Sequence, residues 1–140
     1  EGFADASINF GPDGGGYVPD FELLPGESVF VQITADTTVT FVGEVPQGEL
    51  TNPLPAGISF RSSIVPQDID LDDPEVGFPA EFGDTVFTWS NANNGYNDAS
   101  INFGPDAGGF TPDVLVPVGE GFVVQKENAA DWTREFSVNE

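Results

Sequence analysis

A block that occurs twice constrains the fold of this chain more than any other feature. The nine residues Asp5–Asp13 return unchanged as Asp98–Asp106, 93 residues later. The match continues without a gap as far as Gln125 and resumes after a two-residue insertion, where Phe41 pairs with Phe136. Two equivalent segments are expected to need two equivalent packing partners, so the fold depends on how many such partners the rest of the chain supplies.

We call the repeated segment block B, with a first copy at 2–42 and a second copy at 95–138. The stretch between them, 43–94, occurs once and is called block A. The chain therefore reads B–A–B. We predict a half-repeat over 1–42, available as a donor segment, and a complete β-repeat domain over 43–140 formed by block A and the second copy of B.

The composition predicts an all-β fold. The 140 residues include 17 Gly and 12 Pro, which punctuate the chain with turns, and 13 Phe, which supply material for a hydrophobic core. Short stretches of alternating apolar and polar residues lie between the turns, a pattern typical of strands with one buried face. We predict an antiparallel β-sandwich or barrel of about ten short strands that contains the B–A–B internal repeat.

Individual strands follow from the alternation. In the first copy and block A they are predicted at 6–10, 28–33, 38–42, 57–64 and 85–90. In the second copy they are predicted at 99–103, 110–111, 114–116, 121–125 and 133–138. The acidic stretch 66–79 lacks a period and is predicted to be an exposed loop with one helical turn near 68–71. The sequence at 91–95 (NANNG) predicts a hairpin turn, since Asn and Gly tolerate left-handed backbone.

The charge excludes several classes of partner. The formal net charge is −21, and Arg61, Lys126 and Arg134 are the only cationic side chains. Such a surface repels nucleic acid and anionic membranes, because both are bound through Lys and Arg. No apolar run reaches the length of a membrane span, so no membrane insertion is expected. Like charges also oppose the compact state, which indicates either a salty environment or binding of Ca²⁺.

The chain lacks the residues that most often carry catalysis. It has no Cys and no His, which excludes thiol chemistry, the commonest general base and Ser/His/Asp hydrolysis. A Ser/Lys pair would have to use Lys126, and a paired-carboxylate hydrolase would have to select two of 24 acids. We therefore predict that the protein is not an enzyme.

Two sets of carboxylates are candidate Ca²⁺ ligands, since hard cations prefer oxygen. The EF-hand pattern is absent from the set that repeats with block B, whereas the set in block A has acids at alternate positions, as a loop ion site requires. Solvated acids are the alternative reading for both sets. One set repeats with block B, and the other is the densest acid in block A. The candidate ligands are Asp13, Asp20, Asp106 and Asp113 in the first set and Asp68, Asp70 and Asp72 in the second.

Four aromatic residues are candidates for a sugar-stacking platform: Trp89, Tyr96, Phe110 and Trp132. The alternative is that they fill the core, as aromatic residues of β proteins usually do. The glycine-rich stretch at 11–16 lacks the Lys and Ser/Thr of a phosphate-binding loop, so it is predicted to be a tight turn.

The order of features over 43–138 supports a resemblance. An aromatic strand ends in Trp89, an Asn/Gly turn leads to Tyr96, and the sequence VGEGFVVQ at 118–125 precedes Trp132 and a final strand. This pattern resembles a β-rich repeat of large secreted and surface-attached bacterial proteins. The resemblance implies an extracellular or cell-surface β module and transfers no activity.

The count of two B blocks to one A block leads to the functional expectation. Both copies of B could wrap the single A and close one monomer. Alternatively, the surplus copy at 1–42 docks on a neighbouring chain, and a head-to-tail contact that does not close gives a filament. We expect a non-enzymatic extracellular structural subunit assembled by β-strand complementation. A carbohydrate- or surface-binding adhesin-type module is the second expectation.

Overall fold

The protein is nearly all β, which confirms the predicted class. The computed structural model describes residues 7–9, 11–20, 22–36, 38 and 44–138. Its strands are β1 (Ile8–Asn9), β2 (Tyr17–Val18), β3 (Gly48–Leu54), β4 (Gly57–Ser62), β5 (Ile69–Asp70), β6 (Thr85–Ser90), β7 (Gly95–Tyr96), β8 (Ser100–Asn102), β9 (Phe110–Thr111), β10 (Leu115–Val116), β11 (Gly121–Lys126) and β12 (Ala130–Phe136).

The largest element is a six-stranded antiparallel sheet that interleaves block A with the second copy of B. Its strand order is β4-β11-β6-β8-β9, and β7 pairs with β6 beside this path. The second-copy strand β11 lies between β4 and β6 of block A, with Val123 opposite both Phe60 and Phe87. Each edge of β11 is therefore paired with a strand that block A supplies.

Two smaller antiparallel sheets give the fold a sandwich-like arrangement. They pair β12 with β3 and β10 with β5, so each joins one strand of block A to one strand of the second copy. Their apolar side chains meet one face of the six-stranded sheet in a single core. Its members are Leu54, Ile69, Leu71, Val76, Phe78, Val86, Phe110, Val114, Val116, Phe122, Val124 and Trp132. Every described member of this core belongs to block A or to the second copy.

The turn at the start of block B has the same backbone in both copies. A short 3₁₀ helix forms at Pro12–Gly14 and again at Pro105–Ala107, with a left-handed glycine after each. In each copy the turn joins two paired strands, β1 to β2 and β8 to β9. Two turns that differ only at Gly14 and Ala107 thus have the same local structure, as the predicted tight turn at 11–16 required.

The predicted strand at 28–33 is wrong. This segment forms no regular strand, and one isolated antiparallel bridge joins Glu27 to Arg61 just before it. The equivalent segment of the second copy is β11, which pairs with β4 on one side and β6 on the other. The same alternating pattern becomes a strand only where neighbouring strands accept its hydrogen bonds.

The acidic segment 66–79 is irregular apart from β5, as the predicted loop requires, but it is not exposed along its whole length as predicted. Ile69, Leu71, Val76 and Phe78 are buried members of the core, and the predicted helical turn is replaced by strand β5. Four apolar side chains lie among the acids of this segment, and their spacing does not continue as a helical or strand period. Burial here depends on strands distant in the sequence, which local pattern does not reveal.

The predicted hairpin turn at 91–95 is confirmed. Strands β6 and β7 pair across it, and Asn94 has a positive φ of 49°. The predicted strand at 85–90 is confirmed with the same bounds. The predicted strand at 38–42 lies outside the described residues, except for Thr38.

Candidate functional site

Equivalent positions of the two copies of B have opposite environments. Tyr17 is 46% exposed, whereas its counterpart Phe110 is 0% exposed. Val31 is 46% exposed, whereas Val124 is 0% exposed. The same contrast holds at three further pairs: Leu23 and Val116, Val29 and Phe122, and Phe30 and Val123. The first copy therefore displays apolar side chains at the positions that its repeat buries.

Carboxylates of block A fasten the second copy to the body of the fold. Both oxygens of Asp72 accept the backbone N–H of Phe110 at 3.0 Å. Asp68 accepts the backbone N–H of Val118 at 2.8 Å. Asp70 accepts the N–H of Asp72 at 3.0 Å and so shapes the turn between them. The three candidate ligands of block A therefore accept hydrogen bonds from backbone N–H groups. Hydrogen bonds to a carboxylate are stronger than those between neutral groups.

The contact between Asp72 and the second copy distinguishes two equivalent glycines, Gly109 and Gly16. A Cβ added to Gly109 would lie 2.0 Å from Oδ1 of Asp72, so that carboxylate occupies the space that a side chain would take. A Cβ added to Gly16 would meet nothing within 4 Å. The two glycines have the same φ, 77° and 76°. We call the space beside each of these two glycines the cradle. Asp72 of block A fills the cradle at Gly109, whereas the cradle at Gly16 is open.

One corner of the first copy docks on the edge of block A. The carbonyl of Gly26 accepts the backbone N–H of Ser62 at 3.0 Å and Nδ2 of Asn52 at 3.4 Å. The hydroxyl of Ser62 donates to the carbonyl of Glu27 at 3.0 Å. Burial lowers the pKa of the neighbouring Arg61, and the negative charge of Glu27 opposes this change. The corner is therefore anchored at the open edge of β4.

Beyond this corner, the segment 28–31 crosses the outer face of the six-stranded sheet. Ser28 contacts the backbone at Gly121, where an added Cβ would lie 2.4 Å from the Ser28 Cβ. The Phe30 ring meets the Trp89 ring edge to face, with centroids 4.6 Å apart. The segment and the sheet enclose a groove of ≈ 190 Å³. The groove forms where the first copy bridges the sheet without pairing with it.

The floor of this groove is aromatic. Phe87, Trp89 and Tyr96 line it, and the Trp89 and Tyr96 rings are perpendicular with centroids 5.1 Å apart. Asn91 and Glu120 are polar members of the lining, and Asn91 accepts Nε1 of Trp89 at 3.1 Å. Such a lining offers apolar contact and two polar side chains, the combination that ligand pockets commonly have.

The predicted sugar platform is only half assembled. Trp89 and Tyr96 share the groove, whereas Phe110 and Trp132 lie in the core, where Trp132 donates its Nε1 hydrogen to the carbonyl of Val76 at 2.8 Å. Including Phe110 and Trp132 was therefore wrong. They were indistinguishable from the other two in sequence because all four lie in alternating strands.

The proposed Ca²⁺ ligands do not converge. Asp13 and Asp106 are exposed in their 3₁₀ turns, and Asp20 and Asp113 are exposed after the following strands. Within the described ranges, no three acidic side chains come together in a group that could hold a metal ion. Calcium binding stays a prediction, without an assembled site to support it.

A buried ion pair was missed by sequence reasoning. Lys126 contacts Asp84, and their side chains are 0% and 1% exposed. Lys126 also donates to the carbonyl of Pro79 at 2.8 Å, and Asp84 accepts the N–H of Glu81 at 2.8 Å. The described partners of Lys126 thus include a carboxylate and a carbonyl, and the Ser/Lys arrangement is not formed. The available signal was that the first copy places Ile33 at the position of Lys126.

Comparisons with protein-family profiles, with curated proteins and with solved structures find no match for this chain. Among the described residues, no helix has the length and apolar character that crossing a membrane would need.

Proposed function

We propose that this protein is a non-enzymatic structural subunit of an extracellular filament or matrix, assembled head to tail through its first copy of block B. The observation that carries the proposal is the exposure of the first copy at positions whose repeats are buried. Clustered apolar side chains on a surface are typical of contacts between proteins.

The stoichiometry of the blocks limits how such copies meet. Packing the first copy as the second is packed would require another block A, and every chain carries one A for two copies of B. Additional chains do not change this ratio. Contact between copies must therefore use a surface that block A leaves open after the second copy has bound.

The outer edge of β4 from Gly57 to Ser59 is that surface, because the first copy of the same chain already occupies the edge at Arg61 and Ser62. β4 is the end strand of the six-stranded sheet, and its Ile58 is 69% exposed. Exposed edge strands accept strands from other chains through main-chain hydrogen bonds. The matching donor is the segment 28–33, which alternates apolar and polar residues and leaves Val31 and Ile33 about half exposed.

Donor and acceptor are different surfaces, so their contact is heterologous and extends into a filament unless a ring closes. The net charge of −21 opposes assembly, and added salt or divalent cations screen it. Assembly is therefore expected to rise with ionic strength, as suits a subunit working in salty surroundings outside the cell.

Sedimentation velocity at high salt tests the proposal with two matched variants. Ile33→Asp removes the donor surface, and Ile58→Asp removes the acceptor surface. Each variant alone is expected to remain a monomer. Their mixture is expected to form a dimer and to stop there, since one functional donor and one functional acceptor remain. A full-length chain that stays monomeric at every salt and protein concentration contradicts the proposal.

A second arm tests the block count. Placing an additional copy of 43–94 ahead of residue 1 would give each B its own A. Such a chain is expected to bury the first copy internally and to assemble less than the parent. A chain that lacks 1–42 keeps every described member of the core and is expected to remain a soluble monomer.

A carbohydrate-binding module is the second candidate, and the groove is the observation that favours it. Trp89 and Tyr96 present apolar ring surface, and Asn91 and Glu120 present polar groups to hydroxyls. A glycan array tests this function. Trp89→Ala is expected to lose any signal, while Phe82→Ala, at an exposed ring outside the groove, keeps it. Absence of any glycan signal from the parent protein removes this candidate.

A further inference from the structure

We propose that Lys126 and Asp84 are the site of an intramolecular amide cross-link, formed between Nζ of the lysine and Cγ of the aspartate with loss of water. The proposal does not depend on the assembly of filaments. It begins from a chain with a single lysine, which lies in the interior against a carboxylate.

The backbone brings the two groups together before any reaction. Asp84 immediately precedes β6, and Lys126 is the last residue of β11. These strands are antiparallel neighbours, and their last paired residues are Thr85 and Gln125. One further step in the same register sets residue 126 opposite residue 84. Such fixed proximity gives an intramolecular condensation a large entropic advantage over the reaction of free groups.

Each reacting group also has a contact that suits the chemistry. The carbonyl of Pro79 accepts a hydrogen from Nζ at 2.8 Å and so orients the amine. The N–H of Glu81 donates to Oδ2 of Asp84 at 2.8 Å, where it can stabilise negative charge on that oxygen during addition. The ring of Phe78 lies beside Nζ, 5.9 Å from its centroid, and helps to keep the site dry.

The step is balanced within the pair. A proton moves from the ammonium of Lys126 to the carboxylate of Asp84, giving an amine and a carboxylic acid. The amine nitrogen adds to Cγ, and the C–OH bond then breaks while a second proton leaves the nitrogen. An N–C bond and one water molecule are formed. No oxidant, reductant or external reagent takes part.

The repeat supplies an independent reason to look for chemistry here. The first copy has Ile33 at the equivalent position, so an apolar residue fits the pattern of block B. A buried ion pair is seldom more stabilising than the apolar residues that could replace it, because both charges lose their hydration. An amide removes both charges, and the dry surroundings slow its hydrolysis.

The test is the mass of the folded, full-length protein. The parent chain is expected to weigh one water less than its sequence. Lys126→Arg keeps the positive charge and is expected to show the complete mass. Asp84→Asn is expected to lose ammonia instead of water and to reach the same final mass as the cross-linked parent. A parent mass that equals the sequence overturns the proposal.

Tryptic digestion locates the change. Without the cross-link, cleavage after Lys126 yields peptides 62–126 and 127–134. With it, Lys126 resists cleavage, and one peptide spanning 62–134 appears with the mass reduced by one water. Water lost from peptide 1–61 would instead indicate cyclisation at Asp13-Gly14 and would overturn the proposal, as would water loss that persists in Lys126→Arg.

Discussion

The two copies of block B share a sequence, a turn and a register of apolar residues, yet one is core and the other is surface. Val124 pairs within β11 between two strands of block A, and Val31 is exposed on a segment that forms no strand. The difference lies in the partner that each copy finds. Alternation in sequence gives a segment the capacity to become a strand, and a neighbour with free hydrogen-bonding groups makes it one.

The glycines of the two copies show that the asymmetry runs in both directions. Gly109 is enclosed by Asp72 while Gly16 is open, and Gly26 is enclosed by Asn52 while Gly119 is open. Block A therefore contacts both copies through different surfaces: its interior holds the second copy, and its edge holds the corner of the first. Each pair of glycines is a matched experiment.

The largest difference in the free energy of unfolding is expected between substitutions of the equivalent residues Phe110 and Tyr17. Phe110→Ala empties a fully buried site and is expected to lower the free energy of unfolding by about 4 kcal/mol. Tyr17→Ala alters an exposed position and is expected to change it by less than about 0.5 kcal/mol. Urea unfolding of dilute protein measures both values. Equal losses would show that the first copy is as well packed as the second.

A charge exchange at equivalent positions comes next. Lys126→Ile gives the second copy the residue of the first and leaves the carboxylate of Asp84 buried without Nζ of Lys126, whether that nitrogen is an ammonium or part of the proposed amide, which is expected to cost about 3 kcal/mol. Ile33→Lys gives the first copy the residue of the second at an exposed site and is expected to be nearly neutral. Urea unfolding of both variants at neutral pH tests the contrast. A stable Lys126→Ile protein would contradict the role given to the pair.

The cradle glycines give a smaller and cleaner difference. Gly109→Ala and Gly16→Ala share the strain of a side chain at positive φ, about 1 kcal/mol in each copy. Only Gly109→Ala also displaces Asp72 from the N–H of Phe110, which is expected to add about 2 kcal/mol. Thermal or urea unfolding of the two variants isolates the second effect, because the first cancels. Identical losses would mean that the Asp72 contact contributes nothing.

The smallest effect is local and is expected in the first copy alone. Gly26→Ala places a Cβ 2.5 Å from the Asn52 side chain and is expected to release the docked corner. The N–H of Ser62, which bonds the carbonyl of Gly26, should then exchange with solvent roughly tenfold faster. Gly119→Ala, in open space, should leave this rate unchanged. Hydrogen exchange followed by NMR decides the matter; an equal rate in both variants contradicts the docking.

Local sequence was sufficient where neighbours along the chain determine structure. The strand at 85–90 and the hairpin turn at 91–95 follow from alternation and from residues that tolerate left-handed backbone. The paired turns at 11–16 and 104–109 follow from Gly and Pro in fixed order. The all-β class follows from the same signals summed over the chain.

Sequence reasoning failed where the partner is distant. The bond from Phe110 to Asp72 spans 38 residues, and nothing local to either residue indicates it. The apolar side chains within 66–79 are buried in a core that strands distant in the sequence supply, among them β9, β11 and β12, so their acidic surroundings were misleading. Trp89 and Trp132 face opposite environments for the same reason, since register with neighbouring strands decides which face each occupies.

Hydrogen exchange at two protein concentrations shows whether the first copy of block B is a docking surface that another chain covers. Full-length protein at high salt is compared when dilute and when concentrated, with peptides from 22–36 and from 121–136 followed in parallel. We expect the backbone amides of 22–36 to exchange rapidly in dilute protein and to become protected in concentrated protein. The amides of 121–136 are expected to be protected at both concentrations. Protection of 22–36 that is already complete in dilute protein, or that never appears, contradicts the account.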